Sequence, residues 1–235
     1  MKPTLRSNCY FLFTCLIGLM AFPLGAQIAS PMQLWEKASK FWVEGQAWMP
    51  GKAVSLSEEL DDKDRVEKST EVQSLVVLSD KGEIKYEVLK ATENGRDITE
   101  DRRRNPRSQD RDQPPEIFDP QFKNQIILKY LSLETLEGLS LHKISFYLKP
   151  KDKTGVVGTA WLNAQTGAPY YLEYTLDPLP FLAESLSIKT RYKTQDTGVV
   201  IEEVSFQGSG TVLFIKKTIR SRIRLSEHRL KKTSS

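Results

Sequence analysis

The chain runs to 235 residues with 34 Lys and Arg against 30 Asp and Glu, a formal net charge of +4. A balance this close argues against nucleic acid as a partner, because phosphate neutralisation calls for a marked basic excess. Both cysteines, Cys9 and Cys15, fall in the first 26 residues, so the rest of the chain has no thiol for a disulfide, a thiolate metal site or a cysteine nucleophile.

Lys2 and Arg6 form a short positive start, Cys9 to Leu24 is almost wholly apolar, and Leu24-Gly25-Ala26 puts small residues just before Gln27. This layout predicts a cleaved export signal over 1–26. A retained anchor is the weaker reading, since the apolar run is about 16 residues long, ends at Pro23, and a spanning helix wants roughly 20. Lipid attachment at Cys15 would leave too short an apolar stretch ahead of it. Removing 1–26 takes two basic residues and no acid, so the net charge falls from +4 to +2. The expected product is a periplasmic chain, 27–235, of a length that suits one domain of the larger all-β kind.

Ser30-Pro31 reads as a helix start, Ser as N-cap and Pro at the first helical position. Leu34, Trp35, Ala38, Phe41 and Trp42 then recur at three- and four-residue intervals up to Gly45, which predicts an amphipathic helix. Its aromatic stripe admits two readings, a lid on a core or part of a lipid pocket. Asp61, Asp62 and Asp64 lack the glycine and closing Glu of a calcium loop and read as a solvated turn.

From about Arg65 the period changes to 2. Val72 to Leu78 and Ile84 to Leu89 flank a Ser79–Gly82 turn, and Asn94-Gly95 is the next turn. Residues 96 to 116 carry six arginines, six acids and three prolines, a composition that predicts a mobile loop. Further strands are expected at Gln125–Glu134, Leu141–Lys149, Val156–Leu162, Tyr170–Leu176, Leu186–Thr194, Val199–Phe206 and Val212–Leu225. Turns at Gln165–Gly167, Gln195–Gly198 and Gln207–Gly210 join some of them as hairpins. Ile144, Phe146 and Leu148 alternate with Lys143, Ser145 and Lys149, and Ile219, Ile223 and Leu225 with Arg220, Arg222 and Arg224, so one face is wet, as in an antiparallel sheet. The helix at 31–44 is the expected cover, with a second short helix at Leu179–Ser185.

Signals of catalysis are sparse. His142 and His228 have no metal-ligand spacing to another His or Cys, Gly208-Ser209-Gly210 is not a nucleophile elbow, and no phosphate-cradling glycine loop exists. Nothing calls for a cofactor. A hydrolase using loop carboxylates is the least favoured class. What remains is apolar and aromatic surface, which points to a greasy cavity. Its expected lining is Leu34, Trp35, Phe41 and Trp42 from the helix, with Ile144, Phe146, Leu148, Trp161, Leu172, Tyr174, Leu186 and Ile188 from the strands. The basic strip Lys216, Thr218, Arg220, Arg222 and Arg224 is the candidate surface for a protein partner or anionic headgroups.

The stretches Gly158–Asn163, Thr166–Pro169, Ile188–Tyr192, Gly198–Ile201, Ser226-Glu227 and the turn Asn94–Thr99 resemble the LolA-like group of outer-membrane lipoprotein-sorting proteins. That resemblance spans about residues 31 to 228 and implies a mainly β fold with α cover, a curved antiparallel half-barrel whose concave side is plugged by helices. It implies binding of a lipid, an acyl chain or an acylated lipoprotein without catalysis, with peripheral membrane contact. An envelope sensor or scaffold that grips a protein partner is the alternative on the same fold. The Arg-rich 96–116 segment departs from the carrier proteins of the group.

Overall fold

The structure is a computed structural model that describes residues 29–79, 82–105, 116–149, 154–212 and 215–231. The expected export signal over 1–26, with Cys9 and Cys15, lies outside the described residues. Helix α1 spans Pro31–Gly45. Ser30 opens it as expected: its Oγ accepts from the Gln33 backbone N–H at 3.2 Å, and its own N–H donates to Gln33 Oε1 at 2.9 Å. This reciprocal box satisfies two donors that a helix start leaves orphaned.

Thirteen strands are assigned among the described residues. They are β1 (Trp48–Met49), β2 (Lys52–Leu60), β3 (Val66–Leu78), β4 (Ile84–Glu93), β5 (Arg96–Asp97), β6 (Ile126–Leu136), β7 (Leu139–Leu148), β8 (Gly155–Asn163), β9 (Pro169–Asp177), β10 (Ala183–Thr194), β11 (Val199–Val212), β12 (Ile215–Ser226) and β13 (Arg229–Leu230). A short helix α2 (Thr99–Arg104) follows β5, and a 3-10 turn (Pro120–Gln125) precedes β6. Eleven strands form one antiparallel sheet in the order β5-β4-β3-β2-β12-β11-β10-β9-β8-β7-β6, while β1 and β13 pair separately. Because β12 pairs with β2, two meanders join into one sheet. Its edges β5 and β6 do not meet, and the sheet stays an open half-barrel with a helix cover. Asn94-Gly95 turns β4 into β5 with φ of +48° and +80°, the paired positive angles that a two-residue hairpin of matching twist requires.

Three expectations need correction. No helix forms over 179–185; Ala183 already begins β10, and prolines at 178 and 180 deny the segment a helical N–H pattern. The second plug is instead Ile117-Phe118 with the following 3-10 turn, whose Asp119 caps it by accepting from the Gln121 N–H at 2.9 Å. Gln207–Gly210 is not a turn but the continuation of β11 to Val212. Its glycines serve close approach, since a Cβ on Gly210 would lie 2.4 Å from the Leu182 carbonyl oxygen. Finally, residues 96–105 are not loose: β5 and α2 close the β4 edge, with the Thr99 Oγ1 taking the Ala91 N–H at 3.0 Å and the Arg103 Nε donating to the Val88 carbonyl at 3.0 Å. Apolar content alone missed this, because hydrogen bonds and not burial hold the segment. The remainder of the expected loop, 106–115, lies outside the described residues.

Pairing fixes which residues share the inner face. Leu128, Phe146, Gly158, Tyr174, Ile188 and Phe206 stand directly opposite one another across successive strands. Helix α1 lies on this face along one rim. A Cβ on Gly45 would lie 1.8 Å from the Val199 carbonyl oxygen, and one on Gly167 would lie 2.9 Å from Lys37 Cβ, so the β8–β9 and β10–β11 turns define that rim. The β7–β8, β9–β10 and β11–β12 connections lie at the other.

Candidate functional site

Ten of the twelve expected pocket residues gather in one core. Leu34, Trp35, Ile144, Phe146, Leu148, Leu172 and Tyr174 are buried there, and Phe41, Trp42 and Ile188 pack against it half-buried. Trp35 meets the Phe118 ring at 4.7 Å and the Phe146 ring at 5.5 Å, and Phe118 meets Tyr192 edge-on at 5.8 Å. Side chain therefore touches side chain beneath α1, and the helix acts there as the lid of a packed core. Burial pushes the Tyr174 and Tyr192 hydroxyls far above their ordinary value.

Trp161 is not part of this cluster. Alternation along β8 points Val156, Ala160 and Leu162 inward, at 0% exposure, and so turns Trp161 to the outer face. There its ring lies 5.3 Å from Tyr171 and its Nε1 donates to Glu134 at 3.2 Å. Lys143 and Ser132 bond the same carboxylate, and these hydrogen bonds hold it below its ordinary pKa. Leu186 lies on the inner face beyond the core, half-buried opposite Gly208.

Beyond α1, among the described residues, no helix packs on the inner face over β12 and β2. One row runs Ile188, Phe206, Ser221, Ser57, Thr70 and the next Thr190, Val204, Ile223, Ser55, Val72. Ile219 and Ile223 are 44% and 38% exposed. A small cluster of Met49, Ala53 and Val76, with Leu78 and Leu225, closes the end of this region near the α1 rim. The result is a trough with large apolar side chains on its β10–β11 wall and small hydroxyl side chains along β12 and β2. Alternation marks Ile219 and Ile223 as one side of β12, but it carries no sign of how far along the sheet a covering helix reaches. It also misses Ile117 and Phe118, whose signal is an apolar pair followed by Asp119-Pro120, a helix start.

The basic strip is a charge ladder rather than free cationic surface. Arg220 reaches Glu58 at 3.3 Å, and Glu203 takes both Arg222 at 3.5 Å and Arg224 at 2.9 Å. Thr218 is buried. Arg220 and Arg222 line an outer-face groove of about 600 Å³ with Lys189, Gln207 and Ser205. His142 Nδ1 lies 3.3 Å from the Tyr130 hydroxyl, and His228 Nε2 lies 3.0 Å from the Ile201 carbonyl oxygen. Burial lowers the pKa of both, with Lys37 adding to the effect at His142. Asp61 closes the β2–β3 turn by accepting from the Lys63 and Arg65 backbone N–H groups, and bonds to Arg65 hold its pKa at about 2.

No family model matches the sequence, and no curated protein sequence matches it. Among solved structures the chain is similar to a LolA superfamily protein from Nitrosomonas europaea, 11% identical, with 87% of this chain and 95% of that one covered and a TM-score of 0.38. It is similar to a domain of outer membrane lipoprotein-sorting type from Vibrio parahaemolyticus, 11% identical, covering 87% and 94%, at a TM-score of 0.40. A third is the MucA/MucB complex of Pseudomonas aeruginosa, 9% identical, covering 87% and 100%, at a TM-score of 0.27. At these identities and scores no residue role is carried from them to this chain.

Proposed function

We propose that this chain is a non-catalytic binding protein of the periplasm that holds an acyl chain in the open inner trough, as a lipid or as the acylated end of a lipoprotein, for sorting or lipid transport. The observation that carries the reading is the half of the inner face that the described residues leave open, where the apolar Ile219 and Ile223 stay 44% and 38% exposed. An enclosed methylene contributes about 0.8 kcal/mol; one laid on a single wall gains roughly half of that. An acyl chain of about 15 methylenes then gains about 6 kcal/mol before ordering costs, so its dissociation constant is no tighter than tens of micromolar. That is weak enough for release and suits a carrier that exchanges its cargo. The Ser55, Ser57 and Ser221 hydroxyls along the floor suit an ester or carboxyl group at the end of the chain.

A sensor or scaffold reading would use the Arg220–Arg224 strip. Its guanidinium groups are already matched by Glu58 and Glu203, which favours the trough. The test is native mass spectrometry of protein purified from the cell envelope, with solvent extraction of any lipid, and uptake of a fluorescent fatty acid. Bound lipid and uptake that falls at least tenfold in Ile219→Glu/Ile223→Glu are expected. Repeatedly empty protein that takes up no fatty acid sinks the proposal.

A further inference from the structure

The most exposed large apolar side chain in the described residues stands outside both the packed core and the trough. Phe181 is 94% exposed, with Leu182 at 52% and Leu179 at 36% beside it. All three sit in the β9–β10 connection, on the rim away from α1. A turn builds this tip: the Ala183 N–H donates to the Pro180 carbonyl at 2.9 Å, and Leu182 holds a φ of +70°. That angle at the third position of a turn is the place for glycine, and a branched residue there carries a conformational cost. The chain therefore holds a strained, half-exposed leucine beside a bare phenylalanine. Pro178 and Pro180 stiffen the base of the tip.

We infer that the 178–183 tip is a membrane-docking element that places Phe181 and Leu182 in the interfacial layer of a phospholipid bilayer. A projecting point of two or three apolar side chains needs no complementary pocket when it enters lipid, where it buries apolar area directly. Among the described residues the charges around it balance: exposed Lys149 and Lys216 on the neighbouring strand ends are offset by Asp177 and Glu184 on the tip's own strands. The tip also opens onto the trough: the Leu182 carbonyl abuts Gly210, and Leu186, Gly208 and Ile219 form the adjoining floor. In choosing a bilayer over a protein the inference rests on the acyl-binding reading, since a chain leaving the membrane at this rim meets apolar surface at once.

The test is co-sedimentation of the exported chain with vesicles of phosphatidylethanolamine and phosphatidylglycerol. The wild type pellets with vesicles, and Phe181→Ser/Leu182→Ser lowers partitioning by about tenfold or more without lowering the unfolding midpoint. In a second variant, Phe181→Trp, binding is kept and brominated phospholipid quenches fluorescence beyond that of the four native tryptophans. Wild type left in the supernatant, a double variant that pellets unchanged, or an unquenched Phe181→Trp each overturn the inference. So does lipid-free self-association that depends on Phe181, which would assign the tip to the trough of a second copy. The two readings separate cleanly: Ile219→Glu/Ile223→Glu loses fatty-acid uptake and still pellets, whereas the tip variant keeps uptake.

Discussion

Under α1 the inner face holds Ile144, Leu148 and Val156 at 0% exposure, while on the same face of the same sheet Ile219 and Ile223 remain 44% and 38% exposed. The strands of both halves alternate in the same way, so the strand pattern does not separate them. The difference comes from what lies on top. The Leu34–Trp35–Ala38 stripe and the Ile117-Phe118 plug fill the space over β6 to β11, whereas among the described residues the small Met49 cluster is what reaches β12, β2 and β3. Alternation tells which face a side chain joins. Whether that face is closed depends on where one helix of 15 residues comes to rest.

Truncations on the two halves give the largest contrast. Trp35→Ala removes the ring that joins α1 to Phe118 and Phe146, and should lower unfolding free energy by about 3–5 kcal/mol, read from urea denaturation. Ile223→Ala, half-exposed on the open side, should cost about 1 kcal/mol while weakening fatty-acid uptake. Equal losses in stability would mean that the open half is covered after all.

The next effect concerns how the cover is seated. Gly45 closes α1 against the β10–β11 turn, where a Cβ would lie 1.8 Å from the Val199 carbonyl oxygen. Gly45→Ala must push helix and strand apart, and overpacking of this kind costs about 1–3 kcal/mol. Hydrogen exchange should then rise in α1 and the start of β11 but not in β2 or β3. Uniform change across the sheet would contradict a seating contact confined to the covered half.

Much of this was legible in the chain. Ser30-Pro31 and the spacing of Leu34, Trp35 and Ala38 fixed the helix, because capping and a 3.6 period are local. Most strands were legible for the same reason. The failures have different causes, and some of them lie in contacts distant in sequence. Gly208 and Gly210 read as a turn, yet they sit in a strand because the Leu182 backbone passes close by. Trp161 reads as a greasy pocket residue, but β8 parity sends it outward to Glu134. The Arg-rich stretch after Asn94 reads as loose, but its guanidinium and hydroxyl groups bond to β4 carbonyls and N–H groups. The trough was half-legible. Its residues were visible as an alternating side, and their exposure was not.

Loss of the helix cap should cost less than these packing changes. Ser30→Ala removes the acceptor for the Gln33 N–H and should destabilise by about 1 kcal/mol. If α1 matters only to the covered half, fatty-acid uptake at the trough should hardly change. A parallel loss of uptake would show that the helix also shapes the open side.

The smallest expected effect is a dependence on pH within the covered half. His142 lies between the sheet and α1, 3.3 Å from the Tyr130 hydroxyl, and burial followed by the nearby Lys37 charge lowers its pKa from the ordinary 6.5. A lowered folded value means the unfolded chain binds the proton more readily, so stability rises with pH in the window between the two values. The contribution of the neutral ring is complete above about pH 6.5 and declines as the pH falls through the lower folded value. Urea midpoints measured from pH 7.5 down to 5 should therefore drop in the wild type and flatten in part in His142→Gln, with His228 supplying a second contribution of the same sign. Uptake measured over the same range should follow the midpoint only weakly, because neither ring lies in the rows of the open trough. A steep loss of uptake without loss of stability would move the titrating group from the covered half to the open one, and with it the boundary between them.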